Sequence, residues 1–242
     1  MSLSPHIILD GTWEPWITAL VKDLVKPGMR VLEVGSNCGW YTLLMAQGIG
    51  PEGRLITFEA NPGLAQLTFD SLNINGYSDR VRLHNLAASN ADGEATFRIF
   101  ERHLGGGTLG AVGQEHLDRF QETIKEITVP TVALDEFLEG GDRIIDLMKI
   151  DAEGAEPMVF QGMHNLLKEN ENLTILMEYS FSQIKNCGFK PVAEMGALFD
   201  LGFKAFRIAT TQQLIPVNLA ELSKLRHCEL LLTRDEQKLP GL

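Results

Sequence analysis

Three groups of residues have the types and spacing to do chemistry. The first lies in the run VLEVGSNCGWYT, where Glu33, Gly35, Asn37 and Gly39 stand at the point where an apolar stretch stops and a helical pattern begins. Glycine at such a turn permits a tight bend and close approach of a ligand to the backbone. Taken alone, the pattern also fits an ordinary strand-to-helix turn. The second is Glu59, which ends the next apolar run 24 positions after Gly35. An acidic side chain there can accept hydrogen bonds from both hydroxyls of a ribose. The third is the acidic string Asp151, Glu153 and Glu156 that follows the apolar run ending at Ile150, with Glu178 closing the run after it.

Position 40 decides which nucleotide-like ligand the glycine turn suits. A dinucleotide fingerprint wants glycine or alanine there and a second glycine in place of Asn37, because a diphosphate must rest on the helix N-terminus. Here the residues are Trp40 and Asn37. S-adenosylmethionine carries no phosphate and tolerates both, so it is the expected cofactor. Asn85, after the third apolar run, lies where an amide could read an adenine edge, although asparagine there also forms turns.

Methyl transfer from a sulfonium needs mainly alignment of acceptor oxygen, methyl carbon and sulfur, with a base to take the hydroxyl proton. Asp151 is the first candidate base because it stands at the carboxyl end of a central strand. Glu153 is the second, and Glu156 the third. The plain alternative is that Glu153 and Glu156 only complement the dipole of the helix that follows. Asp151 and Glu178 could instead share a divalent metal with oxygen ligands. His103 precedes Gly105, Gly106 and Gly107 and is a candidate to face the acceptor. Leu104 and Leu109 offer this glycine stretch apolar anchors, and it reads as a lid over the acceptor.

These residues need a scaffold that brings strand ends together. From residue 30 short β-branched runs alternate with helical patterns, the signature of a parallel sheet with crossover helices. The reading is strands at 30–34, 55–58, 81–86, 144–150, 173–177, 204–208 and 228–232. Helices are expected over 13–25, 40–47, 62–74 and 155–167. Between them the rhythm breaks, with extra strands at 95–100 and 127–132 around a helix near 114–125.

Composition narrows the partners. The chain has 242 residues, a formal charge of −11 and a pI near 5.0. That acidity argues against nucleic acid and anionic membranes, both of which attract basic surfaces. Cys38, Cys187 and Cys228 are isolated thiols without zinc or disulfide spacing, so a reducing cytoplasm is the expected location. The N-terminus lacks a signal-peptide pattern, and no stretch is apolar for long enough to insert in a membrane.

VLEVGSNCGWYT, ITFEANP, LAASNADGEATF, LMKIDAEGAE and ILMEYS, in this order, resemble the FkbM family of methyltransferases from about Thr12 to Glu178. Glu33, Ser36 and Ala60 stand where Asp, Ala and Pro are frequent in the family. The resemblance implies an α/β fold of the Rossmann-like class I methyltransferase type. Its mostly parallel seven-stranded sheet would have an antiparallel last strand, helices on both faces and a small inserted β/loop segment. A single methyltransferase domain over residues 1–242 is expected, with 1–27 as a capping helix and 103–126 as an inserted acceptor-side loop and helix. The implied S-adenosylmethionine contacts are Glu33, Gly35, Asn37, Gly39 and Glu59, and Ser36, Asn61, Asn85 and Ala87 complete the candidate set. The expected activity is O-methylation of a sugar, glycolipid or natural-product hydroxyl, on a small-molecule or carbohydrate-like acceptor. A NAD-dependent oxidoreductase on a related fold and a non-catalytic adenosylmethionine-binding module are the alternatives.

Overall fold

The computed structural model describes residues 3–101, 106–112 and 121–239. Two helices, α1 (Leu3–Asp10) and α2 (Pro15–Leu24), precede the first strand, β1 (Arg30–Val34). Next come α3 (Trp40–Ile49), β2 (Arg54–Phe58), α4 (Pro62–Asn75) and β3 (Val81–His84). A second group of strands follows, namely β4 (Ala87–Ser89), β5 (Gly93–Phe100), β6 (Gly107–Thr108) and β7 (Ile124–Ala133). The main series resumes with β8 (Leu147–Ile150), β9 (Thr174–Ser180), β10 (Lys204–Ile208), β11 (Leu214–Val217) and β12 (His227–Thr233).

The main sheet has the order β11-β10-β12-β9-β8-β1-β2-β3. Its strands from β9 to β3 run parallel, and β12 lies antiparallel between β9 and β10. The central strands are apolar on both faces because helices cover both. Leu32, Ile56, Met148 and Ile175 pack into one core, while Val31, Leu55, Leu147 and Leu176 pack into the other. This alternation fixes which side chains share a face at the strand ends.

Helix starts follow local chemistry. Asn61 caps α4, its Oδ1 accepting from the Gly63 amide at 2.9 Å, and Pro62 occupies the first turn. The α2 helix packs against α3, and Trp40 Nε1 donates to Thr18 Oγ1 at 3.0 Å.

The sheet has eight strands where seven are expected. The additional edge strand, β11, contains Pro216, a residue that only an edge tolerates. The inserted segment is a four-stranded sheet, β4-β7-β5-β6, with β4 and β7 parallel. Ile124 and Lys125, expected at a helix end, belong to β7, while residues 113–120 lie outside the described residues. The helix expected over 155–167 is two, Glu156–Gly162 and His164–Glu169, divided at Met163. The third strand ends at His84 rather than Leu86. Helices at Leu3–Asp10, Phe181–Asn186 and Pro191–Asp200 were not anticipated. Among the described residues no helix is long and apolar enough to cross a membrane.

Candidate active site

The carboxyl ends of β1, β2 and β8 converge through backbone hydrogen bonds. The amide of Gly35 donates to the Phe58 carbonyl at 2.9 Å, that of Asp151 to Val34 at 3.0 Å and that of Glu59 to His84 at 3.0 Å. Gly35 has φ +84°, and a Cβ built there would stand 1.9 Å from the Asp151 carbonyl oxygen. The two loops therefore touch backbone to backbone, which only glycine allows.

Glu59 is buried, and both its oxygens are engaged. Oε2 accepts from the Asn37 amide at 2.7 Å and Oε1 from the Asn61 amide at 2.8 Å. Burial pushes its carboxyl up to about 7, against the pull of those two amides. Asn37 reaches this bond in a left-handed conformation, φ 54°, and Thr68 Oγ1 donates to its carbonyl at 2.9 Å. One carboxylate thus joins the loop after β1 to the start of α4.

A cavity opens at this junction. Gly35, Asn37, Glu59, Asn61 and Ala87 line it, as do Asp151 and Glu153. Leu64, Leu86 and Phe97 add an apolar wall, and Gly106, Gly107 and Leu109 close it from the second sheet. That apolar wall is not visible from motifs, since it combines single residues from three separate segments.

Four other expected cofactor contacts are not among the residues that line this cavity. Glu33 is fully buried, its Oε2 accepting from the hydroxyls of Thr42 at 2.6 Å and Thr57 at 2.8 Å. Burial raises its pKa. Ser36 is buried, Gly39 caps α3 at φ 86°, and the Asn85 side-chain amide donates to the Glu59 carbonyl at 2.7 Å. These residues shape the loops that face the cavity. His103, Leu104 and Gly105 lie outside the described residues.

On the acceptor side, Asp151 is half-exposed and paired with the buried Lys149, whose Nζ lies 3.4 Å from Oδ2 and 4.7 Å from the centre of the Tyr41 ring. Burial works against the Lys149 ammonium, but Asp151, then Glu33, Glu229 and Glu14, outweigh it and raise its pKa. Sequence reasoning missed Lys149, although a lysine inside the apolar run LMKI was its signal.

Glu153 adopts φ 51° and bonds through Oε2 to Gln183 Nε2. Burial first, then Asp151 and Glu156, raise its pKa. Thr108 Oγ1 donates to the Glu153 carbonyl at 2.9 Å, which ties the second sheet to this loop. Glu156 is 1% exposed, its Oε1 accepting from the Ala152 amide at 2.8 Å, and burial pushes it up to about 7. The Glu156 carboxyl therefore braces the 151–155 turn from beneath.

The order of the main sheet, with a glycine turn after β1 and an acid after β2, defines the Rossmann-like methyltransferase fold. A family profile described as "Methyltransferase FkbM domain" matches residues 33–205, and the chain belongs to the FkbM methyltransferase family. S-adenosylmethionine is the cofactor of this family.

A solved structure of an rRNA-methylase candidate from Clostridium thermocellum superposes with a TM-score of 0.52, covering 90% of this chain and 93% of that one. At 12% identity the likeness is one of fold. Among curated proteins, the chain is 29% identical over 133 residues to a protein-L-isoaspartate O-methyltransferase of Methanothrix thermoacetophila, 54% of each chain. It is 30% identical over 149 residues to the namesake from Korarchaeum cryptofilum, 59% of this chain and 55% of the other. The chain thus spans about half the length of the curated relatives it matches.

Proposed function

We propose that this methyltransferase carries the methyl group of S-adenosylmethionine to a hydroxyl oxygen of a small or carbohydrate-like acceptor, with Asp151 taking or orienting the hydroxyl proton. The carrying observation is that Asp151 and Glu153 line the same cavity as Gly35, Asn37 and Glu59.

The residues present fit the donor. Glu59, at a strand end, offers carboxylate lone pairs to two ribose hydroxyls. Leu64, Leu86, Ala87 and Phe97 offer a purine an apolar wall. Gly35 and Asn37 would hold the amino-acid end against bare backbone. The bound donor supplies a methyl carbon that needs no further activation, so the chain contributes alignment and proton removal.

Asp151 is the group for the second task. Its ion pair with Lys149 fixes the carboxylate at the cavity rim, and a positioned base contributes about 10²- to 10⁴-fold. Glu153, whose burial favours its protonated form, would serve as a hydrogen-bond donor to the acceptor rather than as a base. Asp151 and Glu153 place two carboxyl groups on this side of the cavity, and Lys149 balances the charge of Asp151.

Calorimetry with S-adenosylhomocysteine and with NAD tests the cofactor half of this reading. Binding of the first and not the second is expected, and the reverse would overturn it. A screen of hydroxyl, carboxyl and amine acceptors, followed by S-adenosylhomocysteine release, tests the rest. Turnover confined to carboxyl or amine acceptors would refute the proposed acceptor class.

A further inference from the structure

The antiparallel pairing of β9 with β12 sets Glu178 directly opposite Glu229, on the face that Leu176 and Leu231 share lower in the same strands. His227 is two residues before Glu229 and therefore on that same face. One side-chain atom from each of Glu178, His227 and Glu229 lies within 4.8 Å of the others, and His227 Nε2 is 3.6 Å from Glu178 Oε1.

Two glutamates facing each other across a ladder repel, and a sheet does not gain stability from that pair. The other groups facing them are acidic as well. Asp151 bears on both, Glu14 bears on Glu229, and the buried Lys149 is already paired with Asp151. Glu178 Oε2 is shut off from solvent and, among the described residues, accepts no hydrogen bond. Glu156, 1% exposed, likewise has an oxygen without a donor among the described residues, and its charge bears on both glutamates. A buried carboxylate oxygen with no donor is a costly arrangement that a bound cation relieves.

We propose that Glu178, Glu229 and His227 form a binding site for a first-row divalent transition-metal ion. Two carboxylates and one imidazole suit such an ion better than magnesium or calcium, which prefer oxygen ligands alone. The site differs from an Asp151–Glu178 pair, because Asp151 is committed to Lys149, and it draws on β12, a strand far along the chain. The proposal rests on the sheet edge and not on the methyl-transfer reading, so either can fail alone.

The test uses the full chain, stripped with EDTA and desalted, then titrated with Mn²⁺ by calorimetry and by loss of the free-ion electron paramagnetic resonance signal. One Mn²⁺ per chain is expected, with Glu229→Gln and His227→Gln each weakening binding by at least about 10-fold. Glu52→Gln, on the exposed surface, should leave it unchanged. Glu229→Gln keeps shape and removes repulsion, and thermal melting checks that it folds. Pulsed resonance on wild-type protein supplies a second reading independent of any variant, since bound Mn²⁺ should show coupling to an imidazole nitrogen. Absence of saturable binding, binding unchanged in both variants, or bound Mn²⁺ without nitrogen coupling would each overturn the site.

Discussion

Glu59 makes cofactor affinity depend on pH and on a single oxygen-for-nitrogen exchange. Its carboxyl stands at about 7 because burial outweighs the amides of Asn37 and Asn61. A ribose diol donates to the ionised form, so binding is strongest above that value and lost as pH falls through it. With a pKa near 7 the ionised fraction falls from about 0.9 at pH 8 to about 0.1 at pH 6, which predicts about 10-fold weaker binding at the lower pH. Glu59→Gln replaces one acceptor with a donor that confronts the Asn37 or Asn61 amide. Loss of the charged acceptor should cost about 1.5 to 3 kcal/mol, or about 10- to 150-fold in affinity. Calorimetric titration with S-adenosylhomocysteine at pH 6, 7 and 8, on wild type and variant, measures both effects. The wild type should weaken on acidification, and the variant should be weak and nearly flat. Equal wild-type affinity at pH 6 and 8, or undiminished affinity in a folded Glu59→Gln, would refute the argument.

Three further outcomes follow from the same geometry. Asp151→Asn should lower kcat by at least about 10²-fold while leaving S-adenosylhomocysteine affinity within a few-fold, and normal turnover with the true acceptor would return Asp151 to a structural role. Gly162→Ala should lower stability by about 1 to 3 kcal/mol, because the added Cβ meets the Ser89 carbonyl oxygen at 1.9 Å; denaturant midpoints should show this against Gly141→Ala, whose Cβ meets nothing within 4 Å. Glu59 and Glu156, both raised by burial to about 7, bind protons in the folded chain that the unfolded chain releases above about 4.5. Stability should therefore rise as pH falls from 8 to 5.5, by roughly 2 kcal/mol for each group, and a Tm that is flat or falling over that range would contradict their burial.

The central strands were legible because burial on both faces leaves near-continuous apolar runs, and β1 and β10 have the limits that those runs predict. Strand β11 was hidden by Pro216, which reads as a breaker until the strand is seen at an edge. Strand β4 is Ala87-Ala88-Ser89, too short and too small to signal itself. At the site, strand-end position was the readable feature, and Gly35, Asn37, Glu59 and Asp151 do meet at one cavity. Residue type alone does not separate Glu33, buried with one oxygen held by two threonine hydroxyls, from Glu59, which lines the cavity. The Glu178–Glu229 juxtaposition depends on a register between distant strands, which no local pattern carries.

The position of β1 also bears on how this chain can be assembled during synthesis. One neighbour of β1 is β2, which follows it closely, but the other is β8, residues Leu147–Ile150, with the whole second sheet made in between. A nascent chain that has emerged only to β3 can form the β1-β2-β3 ladder and the Glu59 junction, yet it keeps one edge of its most central strand unpaired. That edge carries Val31, Leu32 and Val34, an apolar template for pairing with another chain. Arrival of β8 both closes this edge and delivers Asp151, so the step that ends exposure to aggregation is also the step that completes the cavity.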